Sequence, residues 1–148
     1  MLDLENFEEK FKRILESSEW KLLEEKFVNA TNVLLIGNGG NLAIADHAAI
    51  DISRLTDKNG ISPGSGITST SIIGDKDAKS WFKTWVEYRM RGLDPSKTMV
   101  IAFSCSTTGT SSEASMLALE YASSLGVSCA LITAQPKSVE NKDIIMVP

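Results

Sequence analysis

The chain has 148 residues, of which 43% are hydrophobic and 23% charged, and its formal net charge is −4. That is the length of one ordinary domain with enough apolar side chain to bury a core. An acidic balance excludes broad nucleic-acid binding, which needs a basic surface to neutralise phosphates, and no apolar run approaches the roughly 20 residues of a membrane span.

Two cysteines, Cys105 and Cys129, in a chain whose N-terminus is charged from Asp3 onward fit a reducing cytoplasm better than a disulfide framework. Residues 3–28 carry Leu4, Phe7, Phe11, Ile14, Leu15, Leu22, Leu23 and Phe27 mostly at three- and four-residue steps, which predicts one long amphipathic helix. Such a helix either covers a sheet or packs against a copy of itself. Val33 to Ile36 is a short continuous apolar run, the pattern of a strand buried on both faces. Gly37–Gly40 breaks it, and Asn41 to Ser53 reads as a helix. A loop rich in Gly, Ser and Pro follows over Asn59–Gly66. Ile67 to Ile73, alternating with Thr and Ser, predicts a second strand. Asp77 to Arg91 reads as a helix, Met99 to Phe103 as a third strand and Ser104 to Ser112 as a polar loop. Glu113 to Leu125 is a predicted helix ended by Gly126, Val127 to Thr133 a fourth strand and Ile144 to Val147 a fifth. Strands alternating with helices imply an α/β fold, a doubly wound, parallel, five-stranded sheet in one domain over 1–148. Ligands of such sheets bind beyond the carboxyl ends of the strands, which directs attention to two loops.

The first loop, Gly37-Asn38-Gly39-Gly40-Asn41, leads from a strand into a helix. Glycines let the backbone approach a ligand, a helix start offers unpaired N–H groups, and Asn38 and Asn41 add side-chain donors and acceptors. The spacing matches neither a dinucleotide fingerprint nor a P-loop, and a tight connection alone would also use these glycines. The second loop, Ser104 to Glu113, holds seven Ser or Thr hydroxyls before a helix. Ser104, Ser106, Thr107, Thr108, Thr110 and Ser111 could hold the oxygens of a phosphoryl group without any cation, although Ser and Thr also serve as ordinary caps. Two donor-rich loops on separate parallel strands favour a site over two coincidental caps.

His47 is the only histidine, and Asp51 lies four residues on, so both project from one helix face. The pair is either a surface ion pair or an acid–base device, since histidine titrates near neutrality and a carboxylate beside it can orient it or share a metal. Zinc is a candidate cofactor through His47 and Asp51, though two side-chain ligands fall short of a usual zinc site. Trp81, Trp85 and Tyr88 follow helical spacing and read as core or interface. Asp75 and Asp77 read as loop and cap residues, with Asp75 also a candidate substrate contact.

The run Val33-Leu-Leu-Ile-Gly-Asn-Gly-Gly-Asn41, with His47 and Asp51 downstream, resembles the phosphoheptose isomerases of the sugar isomerase (SIS) superfamily. Ile101-Ala-Phe-Ser-Cys-Ser106 is similar to that family's Ser-Thr-Ser phosphate loop. Phe82-Lys-Thr-Trp-Val-Glu87 resembles its third helix and Ile144-Ile-Met-Val-Pro148 its fifth strand. The resemblance implies a flavodoxin-like SIS domain, a homo-oligomer (dimer or tetramer), and aldose–ketose isomerisation of sedoheptulose 7-phosphate. Ser104, Ser106 and the hydroxyls up to Ser111 would hold phosphate, Asn38, Gly39, Gly40 and Asn41 would face the sugar, and His47 would be an acid–base or zinc-binding residue. Asp51 stands where the family has a Glu. The family continues past its fifth strand into a helix bearing a Gln and a second His. This chain stops at Pro148, which implies a truncated form, an incomplete acid–base set, or a helix supplied by a partner subunit. The alternative function is a non-catalytic SIS module that binds a sugar phosphate or a protein partner in a regulatory role.

Overall fold

In the computed structural model the described residues are 6–64, 66–105, 109–134 and 143–148, with Thr110 and Ser111 described through their backbone alone. The N-terminal periodicity yields two helices instead of the one expected: α1 spans Phe7–Glu16 and α2 spans Ser18–Asn29. Ser17 makes the break. Its backbone is extended, its Oγ accepts the Trp20 amide at 3.1 Å, and its hydroxyl donates to the Ile14 carbonyl at 2.7 Å. One serine thus closes one helix and opens the next. Residues 3–5 of the expected helix lie outside the described residues.

The apolar run forms β1, Asn32–Gly37, and α3 follows over Gly40–Leu55. The next strand is not where alternation predicted it. β2 is the short Asn59–Ile61, within the expected loop, and Gly66–Asp75 is a helix, α4. The Ile and Thr residues of α4 favour strands intrinsically, but only Ile72 is buried, so packing and not propensity decides the outcome. Helix α5 occupies Trp81–Arg89, shorter than expected because Asp77 shapes the preceding turn. Its carboxylate accepts from the Ser80 hydroxyl and from the Ser80 and Lys79 amides, at 2.7 to 2.8 Å, and these bonds hold it below the ordinary carboxylate range.

β3 is Thr98–Ser104, α6 Thr110–Ser124, β4 Ser128–Thr133 and β5 Ile144–Val147. Helix α6 begins three residues before its expected start, with the Ser112 and Glu113 amides donating to the Gly109 carbonyl at 3.0 and 2.9 Å. It ends at Gly126, where φ is +80° and the Gly126 and Val127 amides donate to Ser123 and Ala122.

All strand pairings are parallel and the order is β2-β1-β3-β4-β5. The strand order reverses between β1 and β3. Side chains alternate across the sheet. Val33, Leu35, Met99 and Ile101 pack with Leu23 of α2 and with Ala45 and Ala49 of α3 on one face. Leu34, Ile36, Val100 and Ala102 pack with Ile72, Trp81, Phe82, Trp85 and the apolar residues of α6 on the other. Trp81 and Trp85 are core residues, whereas Tyr88 is exposed. Among the described residues no helix is long and apolar enough to cross a membrane.

Candidate functional site

The β1–α3 junction is shaped by close backbone approach. A Cβ at Gly37 would lie 2.6 Å from the Asn41 carbonyl oxygen, so the strand runs into the helix with no room for a side chain. Gly39 takes φ +56°, a conformation that suits glycine, and the Asn41 and Leu42 amides donate to the Asn38 and Gly39 carbonyls at 3.1 and 3.0 Å. Gly39 and Gly40 stay exposed, with Asn38 and Asn41 half-buried beside them.

Gly37 pairs in register with Phe103, so this junction lies beside the end of β3 at the switch in strand order. The side chains of Asn41 and Cys105 meet there: the Cys105 Sγ is 3.7 Å from Asn41 Nδ2 and 3.8 Å from Asn41 Oδ1. At the residue before Cys105, the Ser104 and Ser112 hydroxyls are 3.2 Å apart and tie the end of β3 to the start of α6. Lys79 reaches the same helix start, its Nζ 3.1 Å from Glu113 Oε2. The structure therefore brings together Asn41, Ser104 and Ser112. It adds Cys105 and Lys79, which sequence reasoning missed. In the sequence Cys105 is one residue of a polar loop with nothing to mark it as a contact of Asn41, and no sequence signal connects Lys79 to a helix start more than thirty residues on.

Ser106, Thr107 and Thr108 lie outside the described residues, and Thr110 and Ser111 belong to the first turn of α6 through their backbone. Asp75 is the last residue of α4 and is exposed.

His47 and Asp51 pair as the four-residue spacing requires, with Nε2 3.2 Å from Oδ2. Arg54, also missed, shares the carboxylate: its Nη2 is 3.0 Å from Asp51 Oδ1. A three-residue step on the same helix was the available signal. The His47 side chain is 82% exposed and Asp51 36%. Both border an open groove of about 560 Å³ with Ala43, Ile44, Ala48 and Ile52. His47 is six residues beyond Asn41, hence about 9 Å along the helix and roughly 120° around it. The pair and the strand-end cluster thus occupy different sides of α3. One residue before His47, the buried Asp46 Oδ1 has no hydrogen-bond partner among the described residues.

A zinc ion is not accommodated by these donors as they stand. His47 and Asp51 supply two ligands, and among the described residues no three His, Cys, Asp or Glu side chains come together, whereas zinc takes three or four from protein.

The sequence matches no protein-family model and no curated protein. The fold does have solved counterparts. The phosphoheptose isomerase GmhA from Neisseria gonorrhoeae superposes over 97% of this chain and 85% of its own, with a TM-score of 0.58 and 18% identity. A phosphoheptose isomerase from Francisella tularensis covers all of this chain and is itself covered to 86%, with a TM-score of 0.56 and 18% identity. The α/β fold, with its parallel five-stranded sheet, is therefore that of the solved phosphoheptose isomerases, carried by a chain that shares fewer than one residue in five with them.

Proposed function

We propose that the protein binds a phosphorylated sugar at the β1–β3 strand ends and interconverts its aldose and ketose forms, with sedoheptulose 7-phosphate as substrate. The observation that carries this reading is the convergence of the two donor-rich junctions at the switch in strand order, where Asn41 meets Cys105 and Ser104 meets Ser112. In this reading the phosphate lies against the amides that open α6, with the hydroxyls of Ser104, Ser106, Thr107, Thr108, Thr110 and Ser111 around it. Asn38, Gly39, Gly40, Asn41 and Asp75 face the sugar oxygens. Isomerisation moves one proton between adjacent carbons and another between their oxygens, which calls for a positioned acid–base group. His47 takes that part, with Asp51 orienting the imidazole.

His47 stands on another side of α3 from the strand ends, so a second copy of the chain is needed to bring a histidine to a bound sugar. The exposed Phe7 (61%) and Phe11 (51%) of α1 support assembly as a homo-oligomer. Cytoplasmic residence is supported by the two free thiols of Cys105 and Cys129.

A second reading is a non-catalytic module that keeps the sugar-phosphate site and acts through contacts. It is favoured by one observation: Asp51 is shared between His47 and Arg54, which weakens its hold on the imidazole. Turnover of sedoheptulose 7-phosphate by the purified chain, with and without zinc and beside His47→Ala, separates the two. Product formation abolished by His47→Ala establishes the isomerase. No turnover, with the sugar phosphate still raising Tm, establishes the binding module. Neither turnover nor a Tm response rejects both.

A further inference from the structure

A groove of about 270 Å³ runs between α4 and α5, on the opposite face of the sheet from the His47–Asp51 pair. It is lined by Thr68, Ser71, Ile72, Trp85, Tyr88 and Arg89. Among the described residues no acidic side chain lines it. Every polar group it presents can donate: three hydroxyls, an indole N–H and a guanidinium.

Among the described residues these donors make no hydrogen bond or ion pair. Trp85 is 2% exposed, and its Nε1 is buried with no hydrogen-bond partner among the described residues. Unpaired buried donors are rare in folded proteins because losing water without replacing it is costly. Arg89 lies over the Trp85 ring, its guanidinium carbon 5.7 Å from the ring centre, and no described carboxylate pairs with it. The nearest acid on the helix, Glu87, is held by Lys83 at 3.2 Å. Two hydroxyls of α4, on Ser69 and Thr70, bond back to the Gly66 carbonyl at 3.1 and 2.6 Å. Those of Thr68 and Ser71, which line the groove, make no such bond. Helix α4 is anchored by a single buried side chain, Ile72, so a small displacement of it opens a path to the indole.

We propose that this groove is a second binding site, for a small organic carboxylate with an apolar body. The planar pair of carboxylate oxygens matches the guanidinium fork of Arg89 and offers Trp85 Nε1–H the acceptor it lacks. The apolar body lies on Ile72 and the indole ring. The groove is slightly smaller than the usual range of ligand cavities, about 300–1,000 Å³, which limits the occupant to about the size of benzoate.

The test is an NMR titration of the ¹⁵N-labelled protein with benzoate, reading the indole N–H signals of Trp20, Trp81 and Trp85. Nuclear Overhauser contacts to Ile72 assign Trp85 without any core variant. The Trp85 signal is expected to move downfield and saturate while Trp20, already donating to Glu24, stays still. Arg89→Gln, an exposed position, should weaken that response about tenfold or more and leave the Tm response to sugar phosphate unchanged. A Trp85 signal that does not move, or that moves equally in Arg89→Gln, overturns the proposal. Equal saturation by inorganic phosphate overturns its carboxylate selectivity. The site is independent of the strand-end reading, so either can fail alone.

Discussion

Helix α5 places Trp81, Phe82, Thr84, Trp85 and Val86 in the interior, five of its nine residues, whereas α1, ten residues long, buries none. Both carry large aromatics at helical spacing, and sequence alone gives them the same description. The difference lies in what covers them. α5 is clamped between α6, α4 and one face of the sheet, where Leu34, Ile36 and Val100 meet its rings. α1 rides outside α2 on the other face, and its Phe7 and Phe11 rings stack on each other 6.0 Å apart in the open. Periodicity reports that a helix has an apolar face; it does not report whether the same chain covers that face.

The sharpest way to break this comparison is to truncate one aromatic on each helix. Phe82→Ala is expected to cost about 3–5 kcal/mol, the range for deleting a fully buried ring, while Phe11→Ala in the isolated chain changes stability by about 0.5 kcal/mol or less. Urea titration of both decides it; equal losses would mean that α1 is packed as tightly as α5.

Next in size is the α3–β2 contact, on the sheet face that α2 also covers. A Cβ on Gly60 would fall on the Ala49 carbonyl oxygen, so Gly60→Ala is expected to destabilise by about 1–3 kcal/mol. Gly74 in α4 has open space around it, and Gly74→Ala should instead stabilise by about 0.4–1 kcal/mol. Opposite signs in the shift of the denaturation midpoint confirm that one glycine is sterically required and the other is not.

The smallest effect concerns the two thiols. Cys129, buried against α6 with its thiol near the Leu119 and Val127 carbonyl oxygens, has its pKa pushed by burial from 9.0 up to about 12. A raised folded-state value means that the stabilisation is complete below the unfolded value of 9.0 and is lost as pH rises towards 12. Cys129→Ala should therefore soften the alkaline loss of Tm. A thiol reagent should titrate one cysteine in the native protein, the exposed Cys105, and both only after denaturation.

Much of this was legible in the sequence, and the failures have particular causes. The strands at Val33–Ile36 and Met99–Phe103 were visible because central parallel strands are buried on both faces and read as unbroken apolar runs, and the edge strand Ile144–Val147 reads the same way because three of its four residues are buried. β2 was invisible because it is a three-residue edge strand with the composition of a turn, Asn-Gly-Ile, fixed by tertiary contacts. The Ser53 Oγ accepts the Gly60 amide at 2.9 Å, and the Asn59 amide side chain donates to Asn32 at 3.0 Å. The false strand at Ile67–Ile73 came from β-branched residues whose propensity was overruled. The pairing of His47 with Asp51 was legible because their relation is local to one helix. The meeting of Asn41 with Cys105 joins positions 64 apart, and only the sheet order brings those together.

The parallel arrangement also has a kinetic consequence. β1 lies between β2 and β3, and its partner β3 begins at Thr98, 66 residues after Asn32. The central pairing must therefore close a long loop before any of its ladder forms, a feature associated with slow folding. During synthesis the apolar stretch of β1 waits, unpaired on one side, until everything through Ser104 has left the ribosome. At synthesis rates of roughly 5–20 residues per second, that interval lasts several seconds. During that interval, Val33 to Ile36 are the residues most exposed to non-native association.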